Sequence, residues 1–180
     1  MERTVYRVLS QVFAVVLLLV GIAAIWGGTW AHGYVKDQLS SQAITMPAGD
    51  ALTSDDMKAT LSKYAGTPLD SGPKAEAYAN HYILAHMNAS SDGQTYSQVS
   101  GQYMQLSKDP SADPAEVEKL AGLRQSLFMG SSLRGLLLTA YAWSLVGTIA
   151  LWVGIGAIVV AVILAILGWF VLRAKAAEQA

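Results

Sequence analysis

The sequence predicts an all-α membrane protein: two transmembrane helices flank a small helical extracytoplasmic domain, and the last helix is overlong and extends outside the bilayer. Three observations predict this. The 180-residue chain is 53% hydrophobic, and its apolar residues gather in two uncharged stretches, 8–35 and 135–172. The roughly 100 residues between them repeat apolar positions at three- and four-residue spacing behind recognisable helix caps. No segment alternates with period two, so no sheet is expected.

The first stretch centres on VFAVVLLLVGIAAIWGGTW, Val12 to Trp30, the length of one helical span. Residues 1–30 are read as a cytoplasmic end plus the first transmembrane helix. A signal peptide shares the layout of basic flank and apolar core, and Thr29–Ala31 is a passable cleavage site. The core exceeds the usual length of about 7 to 15 residues, so a retained anchor is expected. Arg3 and Arg7 precede the first span, and Arg173 and Lys175 follow the second. By the positive-inside tendency both termini face the cytoplasm of a plasma-membrane protein, with the centre outside.

The extracytoplasmic helical domain, 31–132, carries 11 acidic and 7 basic residues, a net charge of −4. Nucleic acid and anionic headgroups are poor partners for it. The chain has no cysteine, which excludes thiol catalysis, zinc thiolates and iron–sulfur clusters. The first helix continues past the span and stops before Pro47. Thr53 or Ser54 caps a short helix whose first turn carries Asp55 and Asp56, and Gly66 follows. Pro73 opens a second helix with Ala75, Tyr78, Ala79, Tyr82 and His86 on a core-facing stripe. Thr95 and Gln98 form a capping box for a third helix, to about Ser107. Asp113, Pro114 and Glu116 start a fourth, with Val117, Leu120, Leu123 and Leu127 as its apolar edge and Gly130 as its terminator.

The 38 uncharged residues after Arg134 would reach roughly 57 Å as a helix, nearly twice a hydrocarbon core of ~30 Å. Tilt cannot absorb that excess. Trp152 and Trp169 suggest the division, because tryptophans favour interfaces. Residues 152–172 become the second transmembrane helix and 173–180 a cytoplasmic tail, while 133–151 become an apolar extension packed by protein. Within that extension, Arg134, Tyr141, Ser144 and Thr148 form a polar stripe suited to a packed interface, either the domain's own core or a subunit contact. In the span, Gly154, Ala157, Ala161, Ala165 and Gly168 recur at three or four residues, opposite Ala23, Ala24, Gly27 and Gly28 of the first. Small residues at this spacing let helix backbones approach, between the two spans of one chain or between subunits.

No catalytic constellation emerges. His81 and His86 are five apart, about 140° round a helix, so they do not converge on a metal. His32 lies at the expected membrane interface. Asp55 and Asp56 suit capping better than carboxylate chemistry, and there is no nucleophile elbow, P-loop, dinucleotide fingerprint or EF-hand. No cofactor and no metal are expected.

The blocks YAGTPLDSGPKAEAYANHYI, GQTYSQVS and LFMGSSLRGLLLTAYAW, set between two spans, resemble a family of uncharacterised actinobacterial two-span membrane proteins. The resemblance covers nearly the whole chain and implies no activity or catalytic residue. Some members carry the label of aromatic ring-opening dioxygenases. Such enzymes use a ferrous site of two histidines and a carboxylate, and no such set is discernible here. The expectation is therefore a non-catalytic integral membrane protein: a structural or accessory subunit of a homo-oligomer or of a larger cell-envelope or respiratory complex. Its partners are the lipid bilayer and itself or another membrane protein. A homo-oligomeric pore and a module binding a lipid or apolar ligand are the alternatives.

Overall fold

The computed structural model describes residues 2–171, with side chains from 4 to 169. The expected tail 173–180, with Arg173 and Lys175, lies outside the described residues. Helix α1 spans Glu2–Ser40, followed by α2 (Asp55–Leu61), α3 (Gly72–Ala77), α4 (Leu84–Ser91), α5 (Tyr96–Leu106) and α6 (Pro114–Ile166). A π turn, Tyr78–Ile83, joins α3 to α4, and another, Leu167–Val171, ends α6. Among the described residues the nearest thing to a sheet is one isolated bridge, Thr45 to Pro68. The protein is all-α, and α1 and α6 are both long and apolar enough to cross a membrane.

The chain divides into two compact units, one from residues up to Tyr34 and from Ser144 onward, the other Val35–Trp143. In the second unit the local capping chemistry sets the helix starts. The Ser54 hydroxyl accepts from the Met57 N–H at 3.2 Å, so Ser54 rather than Thr53 caps α2. Thr95 and Gln98 form the full capping box of α5. The Asp113 carboxylate accepts from the Ala115 N–H at 3.0 Å, ahead of Pro114 in the first turn of α6. These helices enclose a buried cluster that includes Val35 and Leu39 of α1, Met46, Leu52, Met57, Leu61, Leu69, Ala75, Ala79 and Leu137 of α6. The loop segment around Met46 is pinned by backbone bonds: Met46 donates to Thr67 at 2.9 Å, and Leu69 donates to Ile44 at 2.8 Å.

Gly130 does not end a helix. α6 runs unbroken for 53 residues, about 80 Å, and the MGSSLRG segment holds neither a terminator nor a cap. Glycine serves packing there: a Cβ on Gly130 would stand 2.7 Å from the Met87 sulfur. The cost of a mid-helix glycine, about 1 kcal/mol, is what admits Met87. The stripe on the second predicted helix also differs. Ala75 and Ala79 are fully buried and Tyr78 and Tyr82 pack against the core, but the intervening π turn leaves His86 exposed.

Within the one chain, protein covers part of 133–151. Leu137 is buried and Leu138 packs against the core, whereas Leu145, Val146 and Ile149 are exposed. The reason is the helix pair of the first unit, in which α6 from Ser144 onward lies against α1 through one narrow seam and leaves its broad apolar surface bare. Ala14, Gly21, Gly28 and Ala31 of α1 are buried there, and so are Gly147, Gly154, Ala161 and Gly168 of α6. Within each helix the glycine and alanine positions 14, 21, 28 and 147, 154, 161, 168 are seven apart. A sustained seven-residue period keeps one seam between two helices when they wrap left-handedly.

Candidate functional site

The seam is close because it is built from glycine. A Cβ on Gly28 would lie 2.6 Å from the Gly147 carbonyl oxygen, and one on Gly154 would lie 2.8 Å from that of Gly21. Backbone atoms cannot give way as a flexible side chain can, so these positions admit no side chain without parting the helices. At the far end of the seam the Ser10 hydroxyl donates to the Leu164 carbonyl at 2.8 Å.

A polar node sits within this pair at His32. Thr148 Oγ1 lies 3.2 Å from His32 Nε2, and Ser144 Oγ lies 3.4 Å from Nδ1. Thr148 spends its single hydroxyl proton on the Ser144 carbonyl at 3.0 Å. Nε2–H must then donate to Thr148, which leaves Nδ1 to accept from the Ser144 hydroxyl in the neutral ring. Ser144 is buried, so the node satisfies a hydroxyl that would otherwise be costly. A histidine flanked by two hydroxyls supplies hydrogen bonding between the two helices.

The four residues of the predicted polar stripe therefore do not act together. Ser144 and Thr148 serve His32. Arg134 belongs to the other unit, where its Nη2 donates to Asn80 Oδ1 at 2.9 Å and Asn80 donates to Glu76 at 2.7 Å. The Arg134 Nε is buried without a partner. Tyr141 is half-buried. In the small-residue stripe, Gly154 and Ala161 lie in the seam with Gly168, while Ala157 and Ala165 are half-buried on its flank. On α1, Gly28 is in the seam, Gly27 has open space around it and Ala23 is exposed. Ala14, Gly21 and Gly147 complete the seam, and their seven-residue spacing is the sequence signal that marks them.

The remaining titratable groups make local pairs. His81 Nδ1 lies 2.7 Å from an Asp56 carboxylate oxygen, and His86 Nδ1 lies 2.8 Å from the Tyr82 carbonyl. The Tyr78 and Tyr82 rings stack at 5.0 Å, and burial raises the Tyr78 phenol above its ordinary value. The Lys74 ammonium, 2.8 Å from Asp70, hydrogen-bonds that carboxylate and lowers its pKa. Among the described residues no three of His, Asp and Glu gather where they would hold a metal. Shallow apolar recesses lie beside Ala14, Leu18, Ala161 and Trp169, about 120 Å³, and beside Val5, Val8 and Val12 of α1, about 360 Å³. No family model matches the chain, and no curated protein or solved structure matches it either.

Proposed function

We propose that the chain is a non-catalytic two-span membrane protein, a structural or accessory subunit that assembles with itself or with a larger complex of the cell envelope or respiratory chain. The observation that carries this reading is the distribution of apolar surface on the first unit. Its two helices meet through glycine and alanine, while Val12, Leu19 and Ile22 of α1 and Val153, Val160 and Ile163 of α6 stand exposed. A helix pair that turns its small residues inward and its large apolar residues outward suits a solvent of lipid tails. Aromatic rings support the same limits: Tyr6 and Trp169 are exposed at one end of the pair, and Trp30 stacks on Tyr34 at the other at 5.5 Å. Positively charged Arg3, Arg7, Arg173 and Lys175 support a cytoplasmic placement of both ends, with residues 35–143 outside.

The seam also supports retention of α1 as an anchor, since cleavage near Ala31 would strip Gly21 and Gly28 from their partners on α6. It supports an outer limit of the second span nearer Ser144 than the Trp152 that the tryptophan spacing suggests. The resemblance to the actinobacterial two-span family is carried by the three sequence blocks quoted above. The test is gentle extraction of native membranes followed by sizing and identification of co-purifying proteins. A reproducible assembly larger than one chain is expected, and monomers with no cross-linked neighbour would overturn the reading.

A further inference from the structure

We propose that the outward face of α6 between Phe128 and Trp143 is the surface through which two copies of this chain pair, parallel and side by side. The proposal rests on the two-span reading above and names the partner within it. Phe128, Met129, Leu136 and Trp143 are 52%, 55%, 70% and 53% exposed, large apolar side chains on one long helix. Ser132, Gly135 and Thr139 are exposed between them, and a Cβ on Gly135 would meet open space. Between Arg124 and Arg173 the one charged residue is Arg134, and its guanidinium is bonded to Asn80. The face is therefore apolar and neutral, with Tyr96 beside the Phe128 ring at 5.7 Å between centroids.

Lipid does not reach most of it. Val35 and Leu39 are buried in one cluster with Leu137, and between them on α1 stand the exposed charges Lys36 and Asp37. Two exposed charges end the hydrocarbon at that level. Phe128 and Met129 lie eight or nine residues further along α6, about 12 Å or more beyond it. Something other than acyl chains covers them.

Charge and area select a second copy. The acidic outer segment, net −4 over residues 31–132, repels an identical segment across most orientations, whereas the α6 face brings no like charge against itself. Every copy inserts with the same orientation, so two α6 helices can meet only in parallel, each residue facing its own equivalent at one height. Hydroxyls at Ser132 and Thr139 and the bare Gly135 suit that self-contact, and Leu136 fills it. Four large side chains half-exposed offer roughly 400 Å² of apolar surface per chain, about 800 Å² from a pair. An area of that size falls in the class of weaker, reversible protein contacts.

The chain has no cysteine, so single substitutions report without background. Ser132→Cys, Leu136→Cys and Thr139→Cys, each in the full chain in native membranes, are expected to form a disulfide with the same residue of a second copy under mild oxidation. Ser126→Cys and Ser131→Cys, exposed but pointing away from this face, are expected not to. Leu136→Glu, at a residue too exposed to matter for the fold of one chain, is expected to cut Ser132→Cys cross-linking at least about tenfold. Equal cross-linking at all five positions, or none at 132, 136 and 139, would overturn the proposal. If extraction still yields a larger assembly while those three stay uncross-linked, the subunit reading stands and this surface is wrong. Monomers with no cross-link would remove both.

Discussion

Gly28→Ala tests the seam with a single methyl group. The new Cβ would stand 2.6 Å from the Gly147 carbonyl oxygen, where ordinary contact begins at 3.4 Å, so the helices must part locally by about 0.8 Å. Separation by that distance forfeits roughly a quarter to a half of the dispersion attraction across the contact. Overpacking of this kind costs about 1–3 kcal/mol, partly offset by about 1 kcal/mol from replacing a helical glycine with alanine. The expected net loss is about 1 kcal/mol. Gly27→Ala supplies the control: its Cβ meets nothing within 4 Å, so the helix propensity alone acts and stability rises. Thermal unfolding in mild detergent, followed by tryptophan fluorescence, reads both variants. For a chain of this size a difference of about 2 kcal/mol between the two separates their midpoints by roughly 4–8 °C, with Gly28→Ala the lower. Equal shifts in the two neighbours would refute the glycine seam.

Three further outcomes are expected. A double-mutant cycle between His32→Ala and Thr148→Val should give a coupling of about 0.5–1.5 kcal/mol, read from the same unfolding midpoints, because each variant removes the other's partner; additive effects would dissolve the node. Thr95→Ala should cost about 1 kcal/mol through loss of the capping box, whereas Ser97→Ala, which caps nothing, should change little, both by thermal denaturation. Asp70→Asn should destabilise the outer unit at neutral pH, with a gap to wild type that closes as pH falls through the ordinary aspartate range, about pH 5 to 3. Lys74 lowers the folded pKa of Asp70, so its stabilisation is present above that range and lost on protonation; a gap independent of pH would contradict the pairing.

The parts of the fold written in local chemistry are legible in the sequence. Ser54, Thr95 and Asp113 cap helices because each hydroxyl or carboxylate serves an N–H two or three residues away, which needs no tertiary partner. The all-α class and the two long apolar helices follow from composition and period in the same way. Gly130-Ser131-Ser132 misleads for the complementary reason. Its local signals favour a break, but Met87 occupies the space beside Gly130, and the burial of Leu127 and Leu137 holds the helix through. The π turn at Tyr78–Ile83 leaves no mark in the sequence, and the helix that continues from it carries His86 exposed.

The seam occupies a middle position. Its glycines repeat every seven residues and are visible, yet three- and four-residue spacing picks Ala157, Ala165, Ala23 and Gly27 instead. The two patterns share residues, and they differ in whether the helices wrap round each other or cross at one point. The His32 node could not be read from spacing at all, because its members are 112 and 116 residues apart and meet only once the two helices are in register. Arg134 shares a seven-residue spacing with Tyr141 but is drawn to Asn80, a partner supplied by another helix.

The central proposal is that α1 and α6 cross the membrane as a pair, with residues 35–143 outside. Single cysteines placed in this cysteine-free chain at Ser111, Val16, Val159 and Thr4, and challenged in intact cells with a membrane-impermeant maleimide, test it most directly. Labelling is expected at Ser111→Cys from outside, at Thr4→Cys only after the cells are opened, and at Val16→Cys and Val159→Cys in neither condition until detergent is added. Reaction of Val16→Cys and Val159→Cys as fast as Ser111→Cys in intact cells, or release of the whole chain by alkaline carbonate, would contradict it.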